Sequence, residues 1–346
     1  MMARRPDPNE ELVDLVQGEQ TDEVRSLEDA IAVQALGDTG ERFDALQRRS
    51  LTAWVAAFGS VQGDPSDAGL LRRILGTIRA AIRRLLGPLA PRAQRALDAR
   101  LAEAVNLGAR QHAAYATAAS HRRMRPFPAR PSLSLRNTTA RIADAVTDRR
   151  DRALALLHPR IANRWTRVAA GIGTARSALS AVRSHITWTV GQAVNEGLLA
   201  GIRALGARKL WVSERDACVS CTAYAGLVVD VDDDFPGGLS WDPQQRGRTE
   251  PLAAPPLHPH CRCRTVAWKD SWAGEGVPSL PQALRREARR SIARGWSLPT
   301  ESGAARIRAA RELLRTGASL PKSVEEFARL SVLTGRFQDR TVPTGP

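Results

Sequence analysis

All four cysteines of the 346-residue chain fall between positions 218 and 263. Cys218-Val-Ser-Cys221 is a C-x-x-C pair, and His258-Pro-His260-Cys261-Arg-Cys263 follows some forty residues later. Two residues between thiols let a tight turn offer both sulfurs to one ion at about 2.3 Å. A structural zinc takes four ligands, and five are in reach: Cys218, Cys221, His258, Cys261 and Cys263. On an extended chain Cys261 and Cys263 point the same way, so both can face the ion. The spacing places Cys218, Cys221 and Cys263 first and leaves His258 and Cys261 to compete for the last position; His260 ranks behind them. Disulfides or buried free thiols are the alternative, but cysteines clustered this tightly in a reducing cytoplasm read as metal ligands. Redox work by the C-x-x-C pair would call for a thioredoxin-like βαβ pattern around it, and none is present.

A catalytic zinc needs an open position and a nearby base. Asp216, Asp230, Asp232, Asp233 and Asp234 are the nearby acids. The H-x-E of zinc deaminases and the H-E-x-x-H of metalloproteases are both absent from the sequence. The expectation is therefore a structural Zn2+ and no catalytic residue. The alternatives are a zinc-dependent nucleic-acid enzyme such as a nuclease, or a non-specific DNA-binding protein.

Helices must carry this cluster. Apolar positions predict one or two short surface helices over 9–36 and another over 40–58, before a Gly/Asp/Pro loop at 59–69. Residues 70–86 read as an Arg-rich amphipathic helix, suited either to a bundle or to a membrane surface, with the bundle favoured. Gly87 and Pro88 stop it, and a helix from Pro91 to about Thr117 follows. Residues 121–134 form a basic, Pro-rich linker. Helix resumes at 136–157. The longest stripe then runs through Ile161, Trp165, Val168, Ile172, Leu179, Val182, Ile186, Val190, Val194, Leu198, Ile202 and Leu205. Its glycines, Gly171, Gly173, Gly191 and Gly197, are expected to weaken or kink it. Short β-runs at 209–213, 227–231 and 264–268 surround the Cys/His cluster, and a metal would anchor the long loop 232–257 between the last two. A Pro/Gly segment at 274–281 leads to helices at 282–294, 302–316 and 322–335. Ser323 and Glu326 suggest a capping box there, and the stretch from Arg336 onward reads as a frayed tail.

The resulting fold class is mainly α, with long helices packed as a bundle and a small α+β zinc-bound module. The predicted organisation is an N-terminal helical region (1–120), the linker (121–134), a domain at 135–274 containing the zinc module (208–268), and a C-terminal helical region (275–346). Net charge is +15. Residues 1–50 hold 6 Arg against 12 Asp and Glu, so the excess lies in the remainder, almost entirely as arginine. Such a field attracts polyanions, although a coding bias toward arginine on solvated faces would give the same composition. No nucleic-acid-binding motif appears. No signal-peptide core or membrane-length apolar run is visible, so no stable membrane insertion is expected.

Trp211, Asp216, the C-x-x-C pair, Gly226 and the run Pro255-Pro-Leu-His258-Pro-His-Cys261-Arg-Cys263, placed after a long helix, resemble the Mu F-like head morphogenesis family of tailed phages. The resemblance spans residues 160–268. Asp216 stands two positions before Cys218, where the family pattern has three. The resemblance implies a minor capsid protein associated with the portal protein and with capsid and scaffold proteins. It would assemble in the host cytoplasm, reside in the virion, and act in procapsid assembly and DNA packaging or delivery. Packaged DNA is a further partner through the arginine-rich surface, and the Cys/His cluster is implied to be a structural metal site.

Overall fold

The computed structural model describes residues 8–272, 279–298 and 300–343. Residues 274–278 of the expected Pro/Gly segment lie outside them. The chain is mainly helical with one small antiparallel sheet and divides into two compact units. Helices α2 (Gln20–Leu36), α5 (Leu89–Ser120) and α8 (Trp165–Ala204) each contribute to both units.

One unit comprises 27–101 and 132–189. Besides parts of those helices it holds α3 (Thr39–Phe58), α4 (Ala68–Leu86), α6 (Leu133–Ala140) and α7 (Ile142–Leu156). Trp54 is fully buried here, edge-on to Phe58 and 6.2 Å from the Trp165 ring. Asp67 caps α4 by accepting the Gly69 and Leu70 amides. Leu71, Leu75, Ile78, Ile82 and Leu86 of α4 are buried against α3 and α7. That settles α4 as a bundle helix, because no apolar face is left for a membrane. Ser132 caps α6, so helix resumes at Leu133, a turn earlier than expected. Arg92 donates to the carbonyls of Ala35 and Leu36, satisfying the end of α2.

The other unit comprises residues up to 26, 102–131 and 190 onward. Its sheet has the order β2-β1-β3, with β1 (Arg208–Val212) central between β2 (Val228–Val229) and β3 (Arg264–Trp268). Trp211 pairs with Thr265 across β1 and β3. Its ring packs 4.7 Å from Tyr224 and 5.0 Å from Phe235. The expected surface helices at 9–36 begin as α1 (Pro8–Asp14), a π-helical turn (Leu15–Glu19) and the first residues of α2. They are not surface elements, since Val13, Val16, Gln17, Gln20, Thr21 and Val24 are all buried.

Helix α8 is continuous through its glycines, and in this unit Gly197 and Gly201 are contact points with α5. A Cβ on Gly197 would stand 2.0 Å from the Val105 carbonyl oxygen, and one on Gly108 of α5 would stand 2.0 Å from that of Val194. Glycine here permits backbone-to-backbone approach, and the packing outweighs its poor helix propensity. Ile161 was expected in the stripe but precedes the helix and is exposed.

Helices α10 (Leu280–Arg294), α11 (Gly303–Arg315) and α12 (Lys322–Thr334) complete this unit. The capping box belongs to α10, from Ser279 and Gln282; the N-cap of α12 is Pro321, and Ser323 lies inside that helix. Of the stretch expected to fray, residues 344–346 lie outside the described residues, and Phe337 and Arg340 are held in place. Phe327 stacks on Phe337, and Arg340 donates to Ser297 Oγ and to the Glu301 carbonyl.

Candidate metal centre

The first half of the cluster is a turn that leads into a short helix, α9 (Cys221–Tyr224). The Cys218 carbonyl accepts from the amide and hydroxyl of Thr222, and the Cys221 amide reaches Cys218 Sγ at 3.4 Å. The second half is the turn in which the Cys261 amide donates to the His258 carbonyl, with His260 in the left-handed region at φ 64°. Helix α8 holds this half in place. Asn195 Nδ2 donates to the Cys263 carbonyl while its Oδ1 accepts the Thr265 amide. Gly191, one helical turn earlier, leaves room for the Cys261 carbonyl, 3.4 Å from where a Cβ would lie.

The two halves meet. His258 Nε2 is 3.0 Å from Cys218 Sγ and 3.2 Å from Cys221 Sγ, and Cys221 Sγ is 3.5 Å from Cys261 Sγ. Two overlapping triads result, Cys218/Cys221/His258 and Cys221/Cys261/Cys263, each with ligand atoms within 4.8 Å of one another. All five predicted residues are therefore brought together, and the group can hold a metal ion. His258 Nδ1 lies 2.6 Å from the Pro259 carbonyl, so Nε2 is the ring atom that faces the sulfurs and would hold the ion once its proton is displaced. The cavity between the side chains is about 10 Å³, the scale of one water-sized centre. Thiol and imidazole donors are ligands for a soft or borderline transition-metal ion.

Electrostatics follow the same geometry. The hydrogen bond from the Cys221 thiol holds Cys218 well below the usual thiol range, against the cost of burial. Burial alone would raise Cys261, but hydrogen bonds from Cys221, Cys263 and the Leu257 amide take it well below. Burial opposes protonation of His258, yet the Cys218 sulfur outweighs it and lifts the ring to about 10. The charge pattern is thiolate around imidazolium, the state a cation would replace by displacing protons.

Several supporting residues gave no sign in the sequence. The Val219 amide, inside the C-x-x-C turn, donates to Glu301 Oε1. Arg306, fully buried on α11, pairs with Glu301 at 2.9 Å and donates to the Ala217 carbonyl. The C-terminal helices thus brace the metal turn. On the other side Arg25 reaches Glu214 at 3.2 Å and Asp216 at 3.3 Å, and Arg264 donates to the Val16 carbonyl and to Thr21 Oγ1. Asp216 is accordingly an ion-pair partner. Asn195 alone had a local signal, a polar residue on the apolar stripe of α8. His260 lines the cavity but belongs to neither triad, and the acids Asp230, Asp232, Asp233 and Asp234 are likewise in neither. No known protein family, curated protein or solved structure matches the chain.

Proposed function

We propose that this chain is a minor head protein of a tailed phage, of the Mu F-like type, and that its Cys/His cluster holds one structural Zn2+. The observation that carries this reading is that the two segments on which the resemblance rests, Cys218–Cys221 and Pro255–Cys263, converge on one buried set of ligand atoms. The ligands are Cys218, Cys221, His258 and Cys261. Cys261 takes the fourth place because its sulfur lies 3.5 Å from that of Cys221 and accepts the Leu257 amide. Cys263 is the remaining thiol, in the same triad as Cys221 and Cys261.

The ion's role in this reading is to fold the chain. It closes the long connection between Cys221 and His258 and so fixes the small apolar core that Tyr224, Phe235 and Leu252 form beside the ligands. Hydrolysis would require a metal-bound water and a free base; the carboxylates around the turn are engaged, Glu214 and Asp216 by Arg25 and Glu301 by the Val219 amide and Arg306. The partners are the portal protein and the capsid and scaffold proteins, met in the host cytoplasm and retained in the virion.

Native mass spectrometry of the chain co-expressed with the portal protein encoded beside it tests both halves. The expected species carries one zinc per chain and a fixed number of chains per portal ring. A metal-free chain, or one that never joins the portal, overturns the corresponding half. Metal-dependent DNA cleavage by the purified chain would replace the structural reading by an enzymatic one.

A further inference from the structure

Helix α4 has the sequence AGLLRRILGTIRAAIRRLL, with five arginines and no acid. Its apolar stripe is consumed by the bundle, so Arg72, Arg73, Arg83 and Arg84 stand exposed on the opposite side, with Arg79 half-buried beside them. Some other arginines of the same unit have partners: Arg149 with Asp148, Arg150 with Asp151, Arg152 with Asp148, and Arg176 with Asp44. Those of α4 form no salt bridge among the described residues. The acid closest in sequence, Asp67, has its Oδ1 engaged by two amides at the helix start.

Arg83 and Arg84 suit the negative end of the helix dipole, but the rest of the arrangement works against the helix. Arg79 and Arg83 are four positions apart, a spacing at which like charges destabilise, and Arg72 and Arg73 lie toward the positive end of the helix dipole. We infer that the exposed face of α4 is a docking surface for the phosphate backbone of duplex DNA, bound without regard to sequence. Arginine presents a planar fork that matches phosphate oxygens in pairs. The two arginine pairs are about 16 Å apart along the helix, close to five base pairs of duplex axis. Helix α4 contains no aromatic residue, so it lacks the stacking platform that single strands require. With its apolar stripe buried it also has nothing to insert into a bilayer. The inference rests on this helix alone and stands whether or not the chain is a head protein.

The test compares two variants of the full chain that lose the same net charge. One changes Arg72, Arg73, Arg83 and Arg84 to Gln; the other changes the paired Arg149, Arg150, Arg152 and Arg176 to Gln. Fluorescence anisotropy of a labelled mixed-sequence DNA duplex is followed through a salt series, and circular dichroism confirms that each variant is folded. The wild type and the second variant should bind with a steep salt dependence. The α4 variant should lose at least tenfold in affinity, with a log–log salt slope shallower by about 3.6. Equal losses in both variants would assign binding to overall charge and overturn the inference. So would an α4 variant that binds like wild type, or α4-dependent binding to phosphatidylglycerol vesicles without binding to duplex.

Discussion

The amide of Val219 donates to Glu301 Oε1 at 2.7 Å across 82 residues of chain, from the middle of the C-x-x-C turn to the approach of α11. Backbone amides in such a turn are what orient the thiols, so a carboxylate that fixes one of them fixes the ligand geometry. Glu301 is held in turn by Arg306, and burial raises its pKa while lowering that of Arg306, as expected for a pair removed from water. Replacing Glu301 by Ala leaves both the Val219 amide and the Arg306 guanidinium without their partner. Metal affinity should fall about 10- to 100-fold, the range for supporting residues. Competition against a chromophoric chelator measures this, and unchanged affinity would reduce Glu301 to a packing residue.

The crossing of α5 and α8 is a second point at which one atom decides the packing. Gly197→Ala would drive a methyl carbon into the Val105 carbonyl oxygen, backbone that cannot rotate away. The helices must separate, at a cost of about 1–3 kcal/mol or more. Gly173, where an added Cβ meets nothing within 4 Å, is the control, and Gly173→Ala should stabilise by several tenths of a kcal/mol through helix propensity alone. Thermal unfolding of the two variants should move in opposite directions; a shift of the same sign would contradict the assigned contacts.

These glycines show what was legible in the sequence and what was not. The stripe from Trp165 to Ile202 identified α8, because a 3.6-residue period is a local property. The same glycines read as weak points, since their partner is the backbone of another helix about ninety residues away and leaves no mark nearby. The metal ligands were legible for a similar reason: thiols and imidazole in two short runs declare their chemistry locally. Glu301, Arg306 and Arg25 were not, since a charged residue on a helix looks the same whether it faces water or braces a turn. Chain ends misled most. Leu12–Val24 and Arg336–Arg340 are rich in charge, yet Arg264 and Ser297 hold them by hydrogen bonds that only the tertiary structure creates.

His112 on α5 is buried against Gly201 of α8, and its Nδ1 has no hydrogen-bond partner. Burial lowers its pKa to about 4. The folded protein therefore keeps the ring neutral, while the unfolded chain takes up a proton below about pH 6.5. Stability contributed by the neutral ring is present above pH 6.5 and is lost as the pH falls toward 4, by up to about 3 kcal/mol. Comparing denaturant unfolding of the wild type and His112→Gln at pH 7.5 and 5 isolates this contribution, because the metal ligands titrate alike in both. The variant should lose less stability over that interval; parallel losses would mean that the ring is protonated in the folded state.

Cys261 and Cys263 share one triad with Cys221, while Cys218 and His258 share the other, and a four-coordinate zinc held by Cys218, Cys221 and His258 has room for only one of the two. If Cys261 is the ligand, Cys261→Ser should abolish stoichiometric zinc at neutral pH, because a hydroxyl is a poor replacement for a thiolate. Cys263→Ser should keep the ion, with affinity reduced through the loss of its thiol beside Cys261, while the Asn195 bond to its backbone carbonyl is retained. Cobalt substitution gives an independent readout, since thiolate-to-metal charge-transfer intensity scales with the number of bound sulfurs. Three sulfurs should persist in Cys263→Ser and two in Cys261→Ser. The reverse pattern would exchange the two cysteines and leave the rest of the site intact. In either case removal of the ion should open the connection between Cys221 and His258 to protease first. Trp211, Tyr224 and Phe235 pack on the same small core as Cys221, Cys261 and Cys263, so loss of the ion should also alter tryptophan fluorescence.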